Sequence, residues 1–88
     1  MTTLLAHPIV NINGTSRREL IDIYCHATQA CRNAINAVQA THPNGRDFQT
    51  AINPAEAMSM AQAQHRSRIE RLCSVLDELS GIVELIAD

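Results

Sequence analysis

Lysine and tryptophan are absent from this chain, tyrosine and phenylalanine occur once each, and apolar residues never run on for long. A membrane-crossing helix needs about 20 consecutive apolar residues, so a transmembrane segment is excluded. With a net charge of -2 and almost no aromatic side chains, the chain has neither the basic excess nor the stacking platforms of a nucleic-acid binder. Cysteine is scarce too: Cys25, Cys31 and Cys73 are an odd number without a CxxC spacing. That argues against a disulfide framework and against a zinc site. No charged segment followed by an apolar stretch opens the chain, so the expectation is a cytoplasmic protein with reduced thiols.

What is present is helical periodicity. Ser16 followed by Glu19 is a capping box, and from there Leu20, Tyr24, Ala27, Cys31, Ala34, Val38 and Thr41 recur at steps of four and three. Ile21, Thr28 and Ile35 flank them on one side, Ile23, Ala30 and Ala37 on the other. His42-Pro43-Asn44-Gly45 then stops the helix. Asn53-Pro54-Ala55-Glu56 provides a cap, a proline at the first helical position and an acidic residue in the first turn, starting a second helix. Its seam reads Met58, Ala61, His65, Arg68, Leu72, Val75, Leu79, Ile82 and Ile86. Gly81 is the one weak point within it.

The predicted fold is all-α: an antiparallel helical hairpin with an extended N-terminal arm, assembling as a homo-oligomeric helical bundle. One domain covers residues 1–88, with the arm at 1–15, the first helix at 16–41, a loop at 42–53 and the second helix at 54–87. Pro8 interrupts the apolar, β-leaning arm, which must be covered by something. Beyond Leu72 the apolar set is wider than one partner helix can cover. Leu72, Leu76, Leu79, Val83 and Ile86 are therefore the expected oligomer interface.

His65 and Arg68 are polar groups at seam positions, costly to bury unless hydrogen-bonded. Folding the hairpin about its loop is expected to bring Ala27 and Cys31 opposite them, with Tyr24 one turn away. With Arg32 they would form a ligand pocket suited to a phosphate or nucleotide, because Arg captures such anions in a planar, bidentate fork. The alternative is a buried network in which Arg68 pairs with Glu19, Asp22 or a carboxylate of a partner chain and His65 bonds a carbonyl or the Tyr24 hydroxyl. Arg46 and Asp47 in the loop are a second candidate, either for binding or for stapling the turn. Cys31 near His65 and Cys25 beside His26 lack the further groups that nucleophilic or zinc chemistry needs. No catalytic residue, metal or cofactor is expected.

Asn11-Ile12-Asn13-Gly14-Thr15-Ser16-Arg17, Pro43-Asn44-Gly45-Arg46-Asp47-Phe48, Ala63-Gln64-His65-Arg66-Ser67-Arg68 and the Leu72 to Leu79 stretch resemble a group of small phage and prophage proteins. That group shares an Asn-Gly-Thr-Ser opening, a Pro-Asn-Gly-Arg-Asp-aromatic loop and a His-x-x-Arg step. Gln49-Thr50-Ala51-Ile52 departs from it, where another aromatic or a proline-rich run is usual. The resemblance implies a viral origin rather than a mechanism; small phage proteins of this size commonly act on the host by binding. The expected function is non-enzymatic: sequestering a nucleotide-type signal in evasion of host defence. A protein-binding inhibitor of a defence effector, resembling an anti-CRISPR protein, and a structural accessory are the alternatives. The expected partners are further copies of the chain and a phosphorylated ligand or a host protein.

Overall fold

Two helices account for most of the chain. The computed structural model describes residues 4–10 and 14–87, and in it α1 spans Arg17–Gln39, a single 3₁₀ turn spans Gly45–Phe48, and α2 spans Pro54–Ala87. No strand occurs among the described residues. The Asn11–Asn13 part of the expected arm, with the Asn of the Asn-Gly-Thr-Ser opening, lies outside the described residues.

Local chemistry sets the ends. Ser16 is the α1 N-cap, its hydroxyl accepting from the Glu19 amide at 3.1 Å. At the other end Thr41 N–H donates to the Val38 carbonyl and His42 N–H to the Gln39 carbonyl, tightening the chain before Pro43. Regular helix therefore ends at Gln39, two residues before the expected stop. Asn53 caps α2 in both directions: its Oδ1 accepts from Glu56 N–H at 3.3 Å and its Nδ2 donates to Glu56 Oε2 at 3.1 Å.

The helices pack side by side as a hairpin. Register follows from two contacts: the Cys31 thiol donates to the Leu72 carbonyl at 3.5 Å, and the His42 ring meets the His65 ring. Pro54 to Ala61 thus runs past the end of α1, beside the loop.

Most heptad positions are half-buried, and the expected seam residues His65 and Ile86 are buried, but each packed face leans to one side of the heptad reading. On α1 the buried positions are Thr28 and Ile35, not Ala27 and Ala34. On α2 Arg68 and Val75 are exposed, while Ile69 and Leu76 face inward. Size and desolvation explain the choice. Isoleucine and leucine fill the space between two helices where alanine leaves it open, and a guanidinium turned outward keeps its water.

Gly81 does not interrupt α2, which runs through it unbroken. It gives the arm room instead: a Cβ there would stand 3.2 Å from Leu5 Cδ1. Gly45 has no such reason to be glycine. Its φ is not positive and nothing lies within 4 Å of a built Cβ.

The result is long and thinly packed. Among the described residues, Ile35 and Ile86 are the buried hydrophobic side chains, and no side chain is less than 2% exposed. The radius of gyration is 18.8 Å, against about 12 Å for a globular domain of this length.

Candidate functional site

The seam histidine is where the sequence placed it, but its surroundings are not those expected. His65 is 7% exposed, and its Nδ1 is buried without a hydrogen-bond partner. His42, just beyond α1, stands edge-on to it, the ring centroids 5.2 Å apart and the planes at 76°. His42 Nδ1 lies 2.9 Å from the Pro43 carbonyl. A carbonyl can only accept, so this nitrogen carries the proton and Nε2 is left for another partner.

These two imidazoles form part of the wall of a cavity of about 560 Å³, completed by Gln39, Gln62, Arg66 and Ile69. Its volume lies in the range of small-molecule sites. Of the six lining residues, sequence reasoning named only His65. His42 was read as a helix stop and Arg66 as one of several cations. Locating the seam at Ile69 rather than Arg68 would have placed Arg66 on the cavity side.

The other candidates are dispersed. Arg68 lies across the seam from Arg66, in an open groove of about 340 Å³ with Val38, Arg71, Leu72 and Val75. No carboxylate lines that groove, so the Arg68 pairing with Glu19 or Asp22 is not formed there. Tyr24 is half-buried, and the register places it near Leu79. It is separated from the Val38 turn by 14 residues, about 21 Å along the helix. Arg32 shares a cleft of about 290 Å³ with Cys25, Thr28, Ser80, Val83 and Glu84.

Within one chain, Tyr24, Arg32, His65 and Arg68 therefore do not gather into one pocket. That expectation assumed Cys31 opposite His65, whereas Cys31 meets Leu72, two turns further on.

In the loop, Arg46 and Asp47 are exposed. Their main-chain amides are held by Asn44, whose Oδ1 accepts from Arg46 N–H and whose carbonyl accepts from Asp47 N–H, both at 3.0 Å. The cap residue fixes the turn, leaving both charged side chains available.

Among the expected interface residues, Ile86 is 3% exposed and so already covered within one chain. Leu72, Leu76, Leu79 and Val83 are half-buried. Ile23, Met60, Val75 and Leu85 are the more exposed large side chains of the two helices, at 59%, 57%, 46% and 44%.

No helix is long and apolar enough to cross a membrane among the described residues. No family model, curated protein or solved structure matches the chain.

Proposed function

We propose that the protein acts by binding, not catalysis, and that its working form is a pair of hairpins joined into a four-helix bundle. The observation that carries this is surface left over after folding. The accessible area is 6814 Å², roughly 1,700 Å² more than the scaling law gives for a globular monomer of this mass. A standard interface takes about 800 Å² from each partner.

The surplus has a definite place. At 100° per residue Val75, Ile82 and Leu85 fall within an arc of about 80° on α2. On α1 Ile23, Ala27, Ala30, Ala34 and Ala37 alternate steps of four and three. The groove holding Val38 with Arg68 and Val75 puts both stripes on the same side of the hairpin. Arginines 68 and 71 lie at the loop end of this face; Glu78 lies toward the other end. A two-fold axis near Val75 would turn Arg71 of each chain toward Glu78 of the partner subunit, so the face is complementary to itself.

The thiol chemistry considered from the sequence gains no support from the geometry, since Cys31 donates to a backbone carbonyl. From the resemblance to phage proteins and the all-arginine cation set, we assign the bundle the capture of a phosphorylated signal in evasion of host defence. Sedimentation over a concentration series tests the assembly. A dimer throughout the micromolar range is expected, and a fully helical monomer there would overturn it.

A further inference from the structure

We propose that the cavity between the end of α1 and the middle of α2 binds a phosphate-bearing small molecule, with Arg66 and His42 as its principal contacts and His65 as its wall. The proposal rests on the ligand-binding reading above for the kind of ligand. The site itself rests on geometry.

Three of the six lining side chains are free donors, the Gln39 and Gln62 amides and the Arg66 guanidinium; the His42 and His65 rings complete the polar wall, with Ile69 as the apolar contact. None is a carboxylate. A guanidinium with two amide donors and no fixed negative side chain matches an anion with several acceptor oxygens. The arginine argues against a metal cation in the same place.

The end of α1 faces this region, and a helix C-terminus carries partial negative charge. Its last carbonyls are already occupied, Val38 accepting from the Thr41 amide and hydroxyl and Gln39 from the His42 amide. What that end does provide is an orienting carbonyl. The Pro43 carbonyl engages His42 Nδ1, which leaves Nε2 to accept from a ligand hydroxyl.

His65 supplies the independent sign of a site. A side chain 7% exposed with an unbonded ring nitrogen is rare in a settled core. The polar cavity lies directly beside it. Arg66 and Ile69 lie across the seam from Arg68 and Val75, so the cavity stays open when hairpins pair through the opposite flank.

The test is titration of the full-length protein with inorganic phosphate and with a nucleoside 5′-monophosphate, followed by calorimetry and amide chemical shifts. The expected result is saturable binding of the nucleotide, weakened about tenfold or more by Arg66→Gln and by His42→Phe, which keeps the ring packing. Arg18→Gln should leave it unchanged. Nucleotide binding that survives Arg66→Gln and His42→Phe but is lost in Arg68→Gln would overturn this site and leave the ligand reading standing. No binding of either probe up to roughly 10 mM, a concentration beyond any useful affinity, would overturn both.

Discussion

Leu5 lies against Gly81 so closely that a Cβ at position 81 would stand 3.2 Å from Leu5 Cδ1. The apolar arm is covered here by the second helix, and glycine makes the approach possible. Leu5 is half-buried and its methyl can shift by a few tenths of an ångström. Gly81→Ala should therefore raise stability by about 0.5–1 kcal/mol through helix propensity, whereas Gly81→Leu should displace the arm. Thermal melts and protease cleavage between Leu4 and Val10 check both outcomes. A destabilised alanine variant would show that the arm is rigidly seated.

His65→Leu removes the orphan nitrogen and keeps the packing. Its expected effect is a gain of about 1 kcal/mol in unfolding free energy, at the lower end of what an unsatisfied buried polar group costs, together with weaker phosphate binding. Urea denaturation measures the first. A clear loss of stability would mean that His65 has a partner and belongs to a structural network.

Arg68 is exposed beside Val38, Leu72 and Val75, with no carboxylate in its groove. Arg68→Met should be neutral or slightly stabilising, within about 0.5 kcal/mol. Destabilisation of roughly 3–5 kcal/mol, the cost of stranding a buried counter-charge, would contradict this placement.

Much of the fold could be read from local chemistry. Ser16, Asn53, Pro43 and Pro54 act through their own backbone neighbours, so caps, stops and the hairpin were legible. The site was less so, because even a partial turn of a helix about its axis changes which side chains meet. A heptad reading ranks Arg68 and Ile69 by position. The folded hairpin ranks them by what each loses on leaving water. That rotation sends Arg68 to one flank and Arg66 to the other, and a register set at Cys31 and Leu72 carries Tyr24 far from both. The pairing of His42 with His65 spans a loop, and no spacing rule reaches across it.

Position 79 and position 75 should respond differently to the same substitution. Leu79 is half-buried in the intrachain seam, and Leu79→Asp should abolish the helical circular dichroism signal, since an unpaired charge there costs several kcal/mol. Val75 is 46% exposed, and Val75→Asp should leave the helices formed at high protein concentration while making the melting temperature depend more steeply on concentration. Identical behaviour of the two variants would mean that Val75 does not belong to a separate face.

The self-complementary face is tested most directly by exchanging charges across its proposed two-fold axis. Sedimentation equilibrium of Arg71→Glu, of Glu78→Arg and of the double variant at low salt should show each single change weakening the dimer and the double change restoring it, because the exchange recreates the opposite-charge contacts between chains. Losses that simply add in the double variant, or a wild type that sediments as a folded monomer, would contradict the pairing of hairpins through this face.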